Sequence, residues 1–151
     1  MADILLVEDD DYKLNDIQKV IDLRCRRSVE RAASVTAALR AVSLRDYELV
    51  VLDMSLPTFD ISGPGGGGSP QGQGGIEVLR LAGRLRNKSR FVIVTQYPDI
   101  EINGYDISLS DSGAILSEKF GLNIVDCILY EFDKPDWQIP FIDIVQRIGL
   151  K

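Results

Sequence analysis

The sequence predicts an α/β fold built on a parallel sheet, and two observations carry that prediction. Short apolar runs without alternation, Ile4–Val7, Leu49–Leu52 and Phe91–Val94, have the pattern of strands buried on both faces. Segments of helical period lie between them, and strand–helix alternation of this kind gives parallel strands joined by right-handed crossovers. The 151 residues suit one domain, 1–151, able to bury a full core.

Each element follows from its residues. Ile4–Val7 is the first strand and runs into Glu8, Asp9, Asp10 and Asp11. From Tyr12 to about Arg26, Leu14, Ile17, Ile21 and Cys25 recur at helical spacing and predict an amphipathic helix with one buried face. A weakly patterned second strand occupies Ser28 to Ala33. Ser34 is placed to cap a second helix with Val35, Ala38, Leu39 and Val42 inward. Leu49–Leu52 is the third strand. After Pro57 the stretch Gly63 to Gly75 holds eight glycines in thirteen residues, so ordering it is entropically expensive and a flexible insertion at about 60–75 is expected. The helix resumes at Ile76, with Ile76, Leu79 and Leu85 as inward candidates. Phe91–Val94 is the fourth strand and ends in Thr95. Gln96 to Ser110, with Pro98 and Gly104, reads as irregular; Ser110 or Ser112 starts a helix that Gly121 closes. Ile124 to Tyr130 is the fifth strand, with Asp126 outward. Ile139 to Ile148 is the last helix, with Phe141, Ile142, Val145 and Ile148 on its apolar face.

The chemistry-bearing residues gather at strand ends. Asp53 closes a buried strand, where open α/β sheets place their ligands; it is either a reacting group or a carboxylate that caps a turn. The acids after Val7 repel one another unless a cation neutralises them, which points to a divalent-metal pocket, while the same acids also suit the start of a helix. Both roles are compatible, Asp10 or Asp11 serving the helix and Glu8 and Asp9 the pocket. Thr95 offers a hydroxyl at the same sheet edge for an oxyanion.

Composition removes several classes. A net charge of −6 argues against a nucleic-acid surface. The short basic cluster Arg24, Arg26 and Arg27 reads as a solvated helix end. Two distant cysteines and no histidine leave no zinc ligand set and no histidine base or phosphohistidine. With no signal peptide and no long apolar span, the expectation is a reduced, cytoplasmic protein without a membrane partner. The glycine-rich stretch lacks the Gly-Lys-Ser/Thr ending of a phosphate-cradling loop.

Three motifs together, Ile4 to Asp10, Leu49 to Pro57 and Phe91 to Thr95, each at a strand end, make the chain resemble a response-regulator receiver domain of two-component signalling. The resemblance covers essentially the whole chain, although the connections Thr58 to Gly75 and Gln96 to Asp126 are longer than usual in the family. It implies a flavodoxin-like, doubly wound, five-stranded parallel sheet in order 2-1-3-4-5, with five helices on both faces. It implies that Asp53 is the phosphoacceptor, that Glu8, Asp9, Asp53 and the backbone carbonyl of Ser55 hold Mg²⁺, and that Thr95 binds the phosphoryl group. The implied partners are a sensor histidine kinase or phosphotransfer protein and a downstream protein. The chain would be no enzyme beyond its own aspartyl phosphorylation and dephosphorylation.

Two positions depart from the family. Receivers carry Lys-Pro directly after the fifth strand, whereas Lys134-Pro135 comes about three residues later than a strand ending near Tyr130 allows. Either the strand or a bulge extends so that Lys134 reaches the pocket, or Tyr130 or Glu131 takes the usual lysine position. Gln96 stands where the family has a small residue, and would either cover the site or help position a hydrolytic water. Tyr130 and Phe132 are candidates for the family's switch aromatic. The leading expectation is a stand-alone receiver that signals through phosphorylation-dependent contacts. A pseudo-receiver without phosphotransfer is the alternative. A phosphatase using Asp53 as nucleophile is disfavoured by Ser55, which stands where a second aspartate is required.

Overall fold

A computed structural model describes residues 3–57, 70–71 and 74–150. In chain order the elements are β1 Ile4–Val7, α1 Asp11–Arg24, β2 Val29–Ala32, α2 Val35–Leu44, β3 Leu49–Leu52, β4 Leu56–Pro57, β5 Pro70–Gln71 and α3 Gly74–Arg84. They continue with β6 Arg90–Thr95, β7 Asp99–Ile102, β8 Tyr105–Ser108, α4 Leu109–Phe120, β9 Asn123–Leu129 and α5 Gln138–Arg147. The expected flexible insertion at about 60–75 lies largely outside the described residues.

The central sheet has the order β2-β1-β3-β6-β9 with every pair parallel, which is the predicted 2-1-3-4-5 arrangement. Because successive strand residues point to opposite faces, each apolar run feeds two cores. Leu5, Val7, Val50, Leu52, Phe91 and Ile93 pack with Ala38 and Val42 of α2, Val78, Leu79 and Ala82 of α3, and Leu116 of α4. Ile4, Leu6, Leu49, Val51, Val92 and Val94 pack with Leu14, Ile17 and Ile21 of α1 and Phe141, Ile144 and Val145 of α5. Burying a Leu- or Phe-sized side chain stabilises the fold by about 1.5–3 kcal/mol, so these two layers fix the strand ends that carry the acids.

Local signals set the helix ends. Asp10 caps α1, its carboxylate accepting from the backbone N–H of Tyr12 and Lys13, and Ser34 caps α2 through the N–H of Ala37. Gly121, at φ 67°, closes α4.

Three expectations are corrected. Gln96 to Ser110 is not irregular: Asp99–Ile102 and Tyr105–Ser108 pair antiparallel around Asn103 and Gly104, both at positive φ, a two-residue turn that suits the twist of a hairpin. The following helix starts at Leu109; Ser112 is buried inside it, its hydroxyl donating to the carbonyls of Ile107 and Ser108. Leu85 is half-exposed just past the end of α3, and that helix begins two residues before Ile76, at Gly74.

Candidate functional site

The site lies at the carboxyl ends of β1, β3 and β6. Val7 and Leu52 are paired across β1 and β3, so Glu8 and Asp53 leave the sheet at the same level, Asp53 donating its backbone N–H to the Val7 carbonyl at 3.0 Å. Glu8 and Asp53 are buried and Asp9 is half-buried; one carboxylate oxygen from each lies within 4.8 Å of the others. Among the described residues this is the single cluster of three or more such ligands. Asp10 is turned to the helix instead, and so divides the acidic run between cap and pocket.

A cation from α1 enters this cluster. The Lys13 ammonium is 2.6 Å from Glu8 Oε1 and 3.2 Å from Asp53 Oδ1, and it donates to the Val94 carbonyl at 2.7 Å. Lys13 is only 2% exposed. The other Glu8 oxygen, Oε2, accepts from the backbone N–H groups of Asp9 and Asp10. Burial pushes the Glu8 carboxyl up to about 8, with Asp53 acting in the same direction and Lys13 opposing. Burial also raises Asp53, opposed chiefly by Lys13 and also by the backbone N–H of Ser55, and it raises Asp9. Burial thus works against negative charge in this pocket and the Lys13 ammonium works in its favour.

Thr95 is fully buried at the end of β6; its hydroxyl oxygen accepts weakly from the Tyr97 N–H at 3.4 Å. It helps line a cleft of about 590 Å³ with Met54, Tyr97, Ile100, Glu101 and Asp106. Ser55 is half-buried in the turn after Asp53, and Gln96 is exposed beside Thr95.

Lys134 is not brought to this group. Its ammonium pairs with Glu131 at 3.1 Å on the surface, and its side chain is 62% exposed. The Lys134 N–H closes a turn onto the Glu131 carbonyl, with Asp133 at φ 62°, which carries Lys134 out of line with β9. The strand does shift register, pairing Ile124 with Phe91 and then Asp126 with Val92, but this occurs at the far end of β9. Directly after β9 stands Tyr130, whose N–H donates to the Thr95 carbonyl at 2.8 Å and whose hydroxyl donates to Asp16. Its ring is buried against Trp137, and Phe132 is exposed and lies against Tyr12.

Lys13 is the residue that sequence reasoning missed. The signal was present: Lys13, Ile17, Val20 and Ile21 share one face of α1, so a lysine stood in register with the buried stripe.

Comparison with known proteins finds relatives of the same fold. The chain is 32% identical over 142 residues to the Detocs response regulatory protein DtcB of Vibrio alginolyticus, covering 89% of this chain and 93% of that protein. Among solved structures it is similar to a response regulator from Colwellia psychrerythraea (TM-score 0.63, 17% identity, 95% and 96% of the two chains). It is also similar to the receiver domain of a Pseudomonas aeruginosa sensor histidine kinase, solved with magnesium in its active-site cleft (TM-score 0.62, 18% identity, 98% of both chains). A third similar structure is the response regulator TrrA of Thermotoga maritima, in complex with Mg²⁺ and BeF (TM-score 0.59, 18% identity, 98% and 99%). No protein-family model matches the sequence.

Proposed function

The chain belongs to the response-regulator receiver family of two-component signalling, and from that premise we propose that it accepts a phosphoryl group on Asp53 from a partner histidine kinase or phosphotransfer protein. The observation that carries this reading is the convergence of Glu8, Asp9 and Asp53 at the ends of adjacent parallel strands. Asp53 is the acceptor because it is the carboxylate on the central strand β3, between β1 with its two acids and β6 with Thr95.

In the transfer, an Asp53 carboxylate oxygen attacks phosphorus, the bond from phosphorus to the donor breaks, and its electron pair leaves with the donor. Thr95 donates its hydroxyl to an oxygen of the arriving group. The donor set fits magnesium, which takes hard oxygen ligands and keeps several waters, so three carboxylates with a half-open Asp9 suffice. The Ser55 backbone carbonyl is a further candidate ligand. When bound by Glu8, Asp9 and Asp53, Mg²⁺ supplies positive charge where an anionic phosphoryl group meets an anionic aspartate. The magnesium in two similar receivers supports that assignment. Phosphorylation then alters the surface offered to a downstream protein, through Thr95 and the segment after it.

A second reading, a pseudo-receiver that binds partners without phosphotransfer, draws on Tyr130 after β9 and on the outward Lys134. Intact-mass spectrometry after incubation with acetyl phosphate, with and without Mg²⁺, separates the two. A magnesium-dependent gain of one phosphoryl group, lost in Asp53→Asn, is the expected result; no gain where a control receiver is modified gives first place to the pseudo-receiver.

A further inference from the structure

We propose that Lys13, reaching in from α1, is the active-site cation of this receiver: its ammonium bridges to Asp53 before transfer and to the phosphoryl group afterwards. The inference rests on the acceptor role of Asp53 and adds which side chain steadies the transferred group.

The first argument is position. The residue that directly follows β9 is Tyr130, which carries no charge there and is fixed by the Asp16 carboxylate and the Trp137 ring. Lys134 is turned outward onto Glu131. Lys13 stands 3.2 Å from the acceptor carboxylate and 2.7 Å from the carbonyl of Val94, the residue before Thr95, so its ammonium lies at the sheet edge where β3 and β6 end.

The second argument is the way the ammonium is held. It has three donors, and Glu8, Asp53 and Val94 are three acceptors on three adjacent strand ends. The Tyr130 ring lies 5.6 Å from the ammonium, centroid to nitrogen, so the residue in the strand-end position forms part of the lysine's own wall. A neutral backbone carbonyl keeps its hold whatever happens to the carboxylates. Lys13 can therefore stay anchored to Val94 while the contact to Asp53 Oδ1 is exchanged for an oxygen of the phosphoryl group. The carboxylate oxygen to phosphorus bond forms, the bond from phosphorus to the donor breaks with its electron pair leaving on the donor, and Lys13 contributes by charge and hydrogen bonding alone.

The test compares wild type, Lys13→Met and Lys13→Arg for the initial rate of acetyl-phosphate labelling at saturating Mg²⁺ and for Mg²⁺ affinity by calorimetry. Lys13→Met is expected to lose about a hundred- to a thousandfold in rate, the range for deleting one preorganised electrostatic contact. It should bind Mg²⁺ as tightly as wild type or more tightly, because a competing positive charge has gone. Lys13→Arg should recover part of the rate. A Lys13→Met rate equal to wild type overturns the proposal, as does loss of rate and of Mg²⁺ affinity in equal proportion in both variants, the mark of a merely structural role. Spectra of wild-type protein labelled at lysine Cε avoid any question of variant folding. The Lys13 resonance should shift when beryllofluoride is added to the Mg²⁺-bound protein while that of Lys134 does not, and an unmoved Lys13 resonance overturns the proposal. If wild type itself takes no phosphoryl group, the acceptor reading falls and this inference with it; if wild type is labelled and Lys13→Met is labelled equally fast, only the inference falls.

Discussion

Replacing Gly75 with alanine tests whether the glycine-rich stretch ends in glycine because the turn at Asp53 leaves no room for a side chain. Gly75 lies in the first turn of α3 and donates its N–H to the Met54 carbonyl at 3.0 Å. A β-carbon there would lie 2.8 Å from the Asp53 carbonyl oxygen, 2.8 Å from Met54 Sδ and 2.9 Å from Met54 Cα. The sulfur can swing away, but the other two atoms are backbone of Asp53 and Met54, so helix or turn must shift. Overpacking of this kind costs about 1–3 kcal/mol, against which alanine's better helix propensity returns up to about 1 kcal/mol. A net loss of about 1–2 kcal/mol lowers Tm by about 2–8 °C in a chain of this size. Gly113→Ala is the matched control: its β-carbon would meet Cys127 Sγ at 3.7 Å, ordinary contact, and in mid-helix it should stabilise by about 0.5–1 kcal/mol. Far-UV melting of both variants with and without Mg²⁺ is the assay. The Mg²⁺-induced rise in Tm should shrink in Gly75→Ala alone, since only that change displaces the backbone of Asp53. Gly75→Ala melting at or above wild type with a full magnesium response would refute the reasoning.

Three further outcomes are expected. Asp10→Ala removes the cap of α1 and should cost about 1 kcal/mol in urea unfolding; an unchanged midpoint would mean that the cap bonds to Tyr12 and Lys13 contribute nothing. Burial, reinforced by Glu30, pushes the Tyr47 phenol up to about 12, above its ordinary value of 10.0, so the folded chain keeps a proton that the unfolded chain releases. Stability is therefore complete below pH 10 and declines as pH rises towards 12, and Tyr47→Phe should flatten that decline in alkaline unfolding monitored by circular dichroism. Burial, then Asp126, pushes the Cys127 thiol up to about 12, and Cys25 is raised by burial, so native protein at pH 8 should react with iodoacetamide far more slowly than unfolded protein. Equal rates in the two states would contradict that placement of the thiols.

What could be read from residues alone follows from what each signal depends on. Ile4–Val7, Leu49–Leu52 and Phe91–Thr95 were legible because a strand buried on both faces must be apolar throughout, and its first acid or hydroxyl marks the edge of the sheet. Lys13 was hidden because a lysine in an amphipathic helix is ordinarily solvated, and only the placement of Glu8 and Asp53 together reveals an acceptor for it. The hairpin was legible and was overlooked: Ile100 and Ile102 alternate with polar residues before Asn103-Gly104, a strong short-range turn signal. The outward course of Lys134 was not legible, since it depends on a turn with Asp133 at positive φ, a conformation open to Asp but not dictated by it. Tyr130 was foreseen as one occupant of the strand-end position, but not that its ring would wall in a cation from another element.

The hairpin after Thr95 changes how much slack the chain has at that edge. Counted along the backbone, the route from Thr95 to α4 is long, yet the Leu109 N–H donates to the Pro98 carbonyl and closes the hairpin at its base. Ser112 of α4 clasps the carbonyls of Ile107 and Ser108, and Ile100 and Ile102 are sunk in the same core as Leu116. The hairpin and α4 thus pack as one unit, which Gln96, Tyr97 and Pro98 join to Thr95. The extra length is taken up in paired strands and packed side chains and is not left as slack between Thr95 and α4.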